Sequence, residues 1–264
     1  MLLSVTHSTA YRYAEPVLRS TQYIRLTPFS SARQRIVRWD LELPAPAVTL
    51  RDAFDNFTHV LTLDRSHQVI HLVARGQVEV DEVDDGEPAG RINPQVFLRS
   101  TPLTEPDDAL RVFVEPMRPM IRSRPLIGIT DLMTAVLEKM PYEKGHTSVD
   151  FTAAQSFAAG RGISQDHAHV FISSCRLADV PARYVSGYAY SQNRDQVASH
   201  AWAEAWLGNR WVSFDISNAR KASGAHIKLA MGLDYLDACP VRGVRLGGGE
   251  EQLSTTAQVR ATQQ

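Results

Sequence analysis

The first part of the chain alternates apolar and polar residues, which is the pattern of strands with one buried face. Residues 37–43 alternate strictly, residues 2–13 do so partially, and residues 58–63 and 69–74 continue the pattern. Proline and Asp-Asn turn signals lie between these segments. The pattern predicts an antiparallel β-sandwich of about a hundred residues.

The pattern changes after an acidic stretch at residues 81–88, which is typical of a solvated loop at a domain edge. Apolar residues at helical spacing predict helices at 131–140, 152–159 and 166–177. The apolar positions of the third helix are spread around its axis, which predicts a buried central helix.

Strands follow these helices at 182–188, 200–206 and 211–215, and Gly208-Asn209 marks a hairpin between the last two. Further strand-like segments close the chain. The fold prediction is therefore α+β, with a β-rich domain over residues 1–100 and helices packed on an antiparallel sheet over residues 101–264.

Composition narrows the function classes. The chain has 264 residues, 44% of them hydrophobic and 22% charged, with a formal net charge of −1. A balance so near neutrality gives no argument for binding nucleic acid or an anionic membrane. No apolar run approaches the roughly 18 residues of a membrane span, and the first residues show no signal-peptide pattern. We expect cytoplasmic residence.

The two cysteines, Cys175 and Cys239, are too few for a disulfide framework and form no C-x-x-C pair. His167 and His169 do not form a metal site together, because positions i and i+2 of a helix point about 200° apart. The sequence therefore predicts no metal.

Three residues in chain order suggest nucleophilic catalysis. Ser164 comes just before the buried helix, His200 opens a strand, and Asp215 ends the next strand. His200 lies eight residues before Gly208 of the hairpin turn, and Asp215 lies six residues after Asn209. Both counts are even, so the two side chains should point to the same face of the sheet as diagonal neighbours. Asp215 would then fix the imidazole tautomer, and His200 would take the proton of the nucleophile.

Each of these residues also has an ordinary structural explanation. Ser164 alone is typical of a helix cap, His200 of a hydrogen-bonded strand histidine, and Asp215 of a strand end. The catalytic hypothesis depends on their joint order. Trp202 and Tyr188 are candidates to line a substrate cleft, with the core or the surface as the alternative location.

Residues 162–169, Gly-Ile-Ser-Gln-Asp-His-Ala-His, resemble the G-x-C-Q-D-[FH]-A-H signature of the bacterial transglutaminase-like cysteine proteases. Residues 180–188, 200–204 and 211–215 are similar to the strands that follow it in that family. The β-rich first part resembles the family's leading domain.

The resemblance implies a papain-like catalytic domain with a Cys-His-Asp triad, in which Ser164 occupies the place of the cysteine. It implies cleavage or transfer of acyl groups at amide bonds through a thioester, and no cofactor. It also implies that Gln165, Asp166 and Tyr142 lie near the substrate.

Several functional alternatives stay open at this stage. Ser164 is explained by a deliberate Cys-to-Ser replacement that silences the enzyme, by a native serine in a peptide-binding protein without activity, or by a native serine hydrolase. Hydrolysis and acyl transfer to an amine share the thioester, so the sequence does not separate them. The expected partner is a peptide or amide substrate, and edge strands leave a homodimer open.

Overall fold

The computed structural model describes residues 1–82, 86–190, 199–222 and 224–262. The strands are β1 (Leu2–Ile24), β2 (Gln34–Glu42), β3 (Val48–Arg51), β4 (Phe57–Leu63), β5 (His67–Val80), β6 (Ala182–Ala189), β7 (Ser199–Leu207), β8 (Arg210–Asp215), β9 (Arg220–Lys221), β10 (His226–Gly232), β11 (Val241–Gly247) and β12 (Glu251–Ala261). The helices are α1 (Asp108–Val114), α2 (Arg118–Ser123), α3 (Pro125–Lys139), α4 (Ala153–Ala159), α5 (Ser164–Leu177) and α6 (Tyr235–Ala238).

The first sheet is built around the long strand β1. Its strand order is β2-β5-β1-β4-β3, and β11 and β12 also pair with β1. The first half of β1 is hydrogen-bonded to β5 and β12, and the second half to β4 and β11. All these pairings are antiparallel. Alternate residues of β1, from Leu3 to Thr9, are buried, as expected for a strand with one face on a core.

The α+β class and the antiparallel first part are confirmed, but two details of the prediction differ. The strands of the first part belong to one continuous sheet, because β1 is long enough to pair with different strands along its two halves. Strands β11 and β12 join this first sheet, whereas the predicted boundary assigned everything after residue 100 to the catalytic domain. Alternation predicts that a strand has a buried face and does not identify its partner.

The second sheet has the order β10-β6-β7-β8-β9 and is antiparallel throughout. One face packs on α5, where Ala201, Ala203 and Ala205 of β7 lie in the same apolar core as Val170 and Phe171. Every residue of α5 between its first and its last is buried, which agrees with the predicted central helix. Within the described ranges, no helix is long and apolar enough to cross a membrane.

Gln34 at the start of β2 connects the two sheets. Its side-chain Nε2 donates to the carbonyl oxygen of Lys228 at 2.8 Å, and its Oε1 accepts from the backbone N–H of the same residue at 2.8 Å. Lys228 belongs to β10 of the second sheet. The first sheet is therefore fastened to the sheet that carries His200 and Asp215.

Candidate active site

Ser164 is the first residue of α5, at the end of the helix where backbone N–H groups lack helical acceptors. The chain approaches this end closely: a Cβ on Gly162 would lie 2.7 Å from Cβ of Asp166. Only glycine fits at that position without a shift of the neighbouring residue. The side chain at position 164 therefore lies at the positive end of the helix dipole.

Asp166 fastens this turn in place. Its Oδ2 accepts hydrogen bonds from the backbone N–H of Ile163 at 2.8 Å and from Thr147 Oγ1 at 2.7 Å, and its Oδ1 accepts one from Ser156 Oγ at 2.9 Å. The residue is 1% exposed. The prediction that Asp166 contacts the substrate is therefore wrong, because both oxygens of its carboxylate accept hydrogen bonds that hold the start of α5.

His200 and Asp215 are brought together by the β7–β8 hairpin. The register places Ala203 opposite Phe214 and Leu207 opposite Arg210, so continuing it makes His200 and Asp215 diagonal neighbours. His200 Nε2 lies 2.9 Å from Asp215 Oδ1. The hairpin count from the sequence therefore gave the correct face for both residues, and Nδ1 is the ring nitrogen left to face a nucleophile.

Asp215 is fully buried and has polar contacts beyond His200. Its Oδ2 lies 2.8 Å from His226 Nε2, accepts from Asn218 Nδ2 at 2.7 Å, and lies 3.7 Å from Arg220 Nε. Burial by itself would raise the pKa of this carboxyl, but the hydrogen bonds from His200 and His226 hold the pKa well below its usual range. Asp215 is therefore ionised throughout the physiological range.

His226 was missed in the sequence, because a histidine at the start of a strand carries no local signal of its own. Burial lowers the pKa of His226, although the hydrogen bond with Asp215 opposes this shift. The imidazole is therefore neutral at neutral pH, and its Nε2–H donates to the carboxylate. His200, Asp215 and His226 thus form a hydrogen-bonded group with the carboxylate at its centre.

Among the His, Cys, Asp and Glu side chains of the described ranges, these are the only three whose ligand atoms lie near enough to one another to hold a metal ion, within 4.8 Å. Both Nε2 atoms lie at hydrogen-bond distance from the ionised carboxylate, which can only accept, so each Nε2 carries the proton of its contact. A metal would need the lone pairs of those nitrogens instead. His167 and His169 are separated by their partners: His167 Nε2 lies 2.7 Å from the Met140 carbonyl oxygen, and His169 Nε2 accepts from the Tyr235 N–H.

The Trp202 ring packs against His200 and His226. It is 1% exposed, its ring stacks on His200 at 6.3 Å between centroids, and it meets His226 edge to face at 5.2 Å. Trp202 therefore packs against the catalytic candidates and does not line the cleft. That part of the prediction is wrong, since the strand alternation turns the indole toward the face of the sheet opposite α5.

A buried ionic cluster lies further along the same face of the sheet. Glu204 is bound by Arg183 Nη2 at 2.5 Å, by Lys228 Nζ at 2.6 Å and by Ser213 Oγ at 3.0 Å, and Lys228 also contacts Glu87 at 2.5 Å. Burial would raise the pKa of Glu204, but Arg183 and Lys228 lower it to about 2. The cluster therefore ties strands β6, β7, β8 and β10 and the segment around Glu87 to one another, next to the hairpin that carries His200 and Asp215.

A cleft of about 230 Å³ opens beside Ser164 and His200. Gln165 also lines it, and its Nε2 donates to the Val149 carbonyl oxygen at 2.8 Å. Tyr142 and Tyr188 are not among the residues that line it. Tyr188 is fully buried with its hydroxyl 2.7 Å from His7 Nδ1, and Tyr142 is 44% exposed with its ring near His167.

Comparison with known proteins gives matches to two family models. Residues 122–216 match the family model of the transglutaminase-like superfamily, and residues 3–79 match that of the bacterial transglutaminase-like N-terminal region. Uncharacterized protein Rv2569c of Mycobacterium tuberculosis is 29% identical, over 91% of this chain and 86% of its own length. Uncharacterized protein ML0607 of Mycobacterium leprae is 27% identical, over 97% of this chain and 98% of its own length.

Among solved structures, one described as "a Putative Cysteine Protease from Cytophaga hutchinsonii" superimposes with a TM-score of 0.81 and 18% identity, covering 100% of this chain and 91% of that one. At this identity the likeness is evidence for the fold alone. The core match includes both Ser164 and His200, and the N-terminal match covers most of the first sheet. Residues 122–216 therefore carry a transglutaminase-like core match, and a match to the bacterial transglutaminase-like N-terminal region lies ahead of it.

Proposed function

We propose that this chain is a transglutaminase-like hydrolase of amide bonds, in a form whose nucleophile position carries Ser164 in place of a cysteine. The observation that carries the proposal is the His200–Asp215 hydrogen bond of 2.9 Å beside a cleft that Ser164 also lines. The match to the transglutaminase-like core supports this chemistry, and the role of each residue is argued from the site itself.

The roles follow from the contacts of each residue. Asp215 is ionised and holds His200 through Nε2, so Nδ1 is the atom that would take the proton of the nucleophile. The N–H groups at the start of α5 are suited to hold the oxyanion that forms when the nucleophile attacks a carbonyl carbon. Proton return through His200 would then let the C–N bond break and the amine leave, with the acyl group bound to position 164.

The residue at position 164 sets the rate of this reaction. A thiol has an ordinary pKa near 8.5, and a helix N-terminus with an imidazolium nearby lowers it enough for a thiolate to form. A serine hydroxyl stays protonated in the same place. We therefore propose that Ser164 replaces a native cysteine and silences the enzyme. A serine codon at this position in the genomic copy of the gene would end that part of the proposal.

The test of the function is turnover by the Ser164→Cys variant. The variant is incubated with a peptide library, with and without an added primary amine, and products are identified by mass spectrometry. Cleaved peptides without incorporated amine support hydrolysis, whereas incorporated amine assigns the chain to acyl transfer. The matched control is Ser164→Cys with His200→Ala, which should lose turnover by about 10²-fold or more.

One outcome would overturn the enzymatic proposal altogether. If Ser164→Cys turns over no peptide and yet binds one with the same affinity as the Ser164 protein, the chain is a non-catalytic peptide-binding protein. The Ser164 protein is the correct comparison for binding, because one oxygen in place of one sulfur leaves the shape of the cleft nearly unchanged.

A further inference from the structure

We propose that strands β1 and β12 of the first sheet form the substrate-selecting wall of the Ser164 cleft, and that this wall favours uncharged acyl groups. The inference rests on the proposed function and names the class of substrate for the same site. "Wall" here means the five residues of these strands that line the cleft: His7, Thr9, Tyr11, Leu253 and Thr255.

The wall is one continuous patch because of strand geometry. His7, Thr9 and Tyr11 are alternate residues of β1 and therefore point to the same face. The register places Thr9 directly opposite Thr255 and Tyr11 directly opposite Leu253 on β12. Ser164 and His200 line the same cleft, so a group bound at position 164 lies beside the wall.

Hydrogen bonds fix the polar groups of the wall. His7 Nδ1 lies 2.7 Å from the Tyr188 hydroxyl, and His7 Nε2 lies 2.9 Å from Thr9 Oγ1. Thr9 Oγ1 in turn lies 3.2 Å from Thr255 Oγ1. The chain of contacts runs from β6 of the second sheet through β1 to β12. A wall held in this way keeps its shape without a substrate, which reduces the ordering cost of binding.

The described lining of the cleft contains no Asp, Glu, Lys or Arg. Burial lowers the pKa of His7 to about 4, so its imidazole is neutral at neutral pH. Burial, assisted by Glu251, raises the pKa of Tyr11, so its phenol is neutral as well. A charged acyl group that reached the buried side chains of His7 and Thr9 would lose part of its water and find no opposite charge among the lining residues, whereas a neutral group with hydrogen-bonding atoms meets hydroxyls.

The test uses the Ser164→Cys protein and three methanethiosulfonates of similar size, which carry a neutral hydroxyethyl, an anionic sulfonatoethyl or a cationic trimethylammonioethyl group. Each forms a disulfide with the thiolate and releases methanesulfinate, and each rate is divided by the rate of the same reagent with free cysteine. These reagents report on the cleft whether or not the thiol is activated. A failed wall is therefore distinguishable from a failed catalytic assignment.

Single substitutions then introduce a charge into the wall or, as a control, on the opposite face of β12. Thr255→Lys and Thr255→Glu place a charge on the cleft face of β12, and Ser254→Lys and Ser254→Glu place it on the opposite face of the same strand. Thr255 and Ser254 are both exposed, so the substitutions create no buried charge and fold like the parent.

We expect the normalised rate of the neutral reagent to exceed both charged ones by about tenfold at low salt. Thr255→Lys should raise the anionic-to-cationic rate ratio by about fivefold and Thr255→Glu should lower it by about as much, with the effect weakened at about 1 M salt. The Ser254 variants should change the ratio less than about twofold. Equal normalised rates for the three reagents in the parent, or equal effects at Thr255 and Ser254, would overturn the proposal.

Discussion

Acidification should destabilise this protein through His7, whose imidazole is buried between the two sheets. The residue is 2% exposed and is held by Tyr188 and Thr9. Burial lowers its pKa from 6.5 to about 4, because the charged imidazolium would lose water without gaining an anion. The unfolded chain therefore takes up a proton near pH 6.5, while the folded protein does so only near pH 4.

The sign and size of the effect follow from this difference. Between the two values the unfolded state binds more protons, so the contribution of His7 is fully present above about pH 6.5 and decreases as the pH falls toward 4. At about pH 5 most of the unfolded chains carry the proton and most of the folded ones do not, which lowers the free energy of unfolding by about 2 kcal/mol relative to about pH 7.5.

The assay is urea unfolding of the Ser164 protein at these two pH values. In His7→Gln the loss between about pH 7.5 and 5 should shrink by about 2 kcal/mol, while His71→Gln, an exposed position on β5, should keep the loss of the parent. Burial also lowers the pKa of His169 to about 4, but that residue is present in all three proteins and cancels in the comparison. An unchanged pH dependence in His7→Gln would refute the reasoning.

Two further substitutions test the structure around the hairpin. Glu204→Gln removes a buried carboxylate from its two cations and should lower the free energy of unfolding by about 3–5 kcal/mol. The control Glu42→Gln breaks an exposed ion pair and should lower it by less than about 1 kcal/mol. Equal losses of the two variants in urea unfolding would contradict the buried cluster. In the Ser164→Cys background, His226→Ala removes a donor to Asp215 and should move the pH profile of thiol alkylation upward by about one unit, and His226→Gln should restore it. A profile for His226→Ala that superimposes on the parent, in a protein of unchanged melting temperature, would show that His226 has no positioning role.

The local features of the site could be predicted from the sequence. The first residue of α5, the hairpin between β7 and β8, and the parity that puts His200 and Asp215 on one face all depend on short-range patterns. Spacing within a helix or across a tight turn is set by backbone geometry. The contact between His200 and Asp215 follows from that geometry with little help from the rest of the chain.

The long-range features could not be predicted in this way. His226 reaches Asp215 from β10, and Lys228 of the same strand reaches Glu204 and Glu87, which lies 141 residues away along the chain. The pairing of β12 with β1 brings Thr255 beside Thr9 across 246 residues. Alternating patterns do not specify partners at such separations, so the wall of the cleft emerged only from the assembled sheets.

The substrate-contact predictions show the same limit. The resemblance places Asp166 near the substrate, and the predicted strands offer Trp202 and Tyr188 as cleft residues, but each is buried in a supporting contact. Gln165 does line the cleft. Closeness in sequence to a nucleophile does not say which side of a helix or strand a side chain occupies, since that depends on what packs on each face.

The central claim is that position 164 lies where His200 and the start of α5 act on one nucleophile, and the pH dependence of thiol alkylation in Ser164→Cys tests it most directly. Rates with iodoacetamide are measured from about pH 5 to 10 and assigned to position 164 by peptide mapping, with the Ser164 protein reporting any labelling of the buried Cys175 and Cys239. We expect a thiolate that persists below about pH 7, and adding His200→Ala should shift the pKa of the thiol back toward the ordinary value near 8.5. Coinciding profiles with an ordinary pKa in both variants would contradict it.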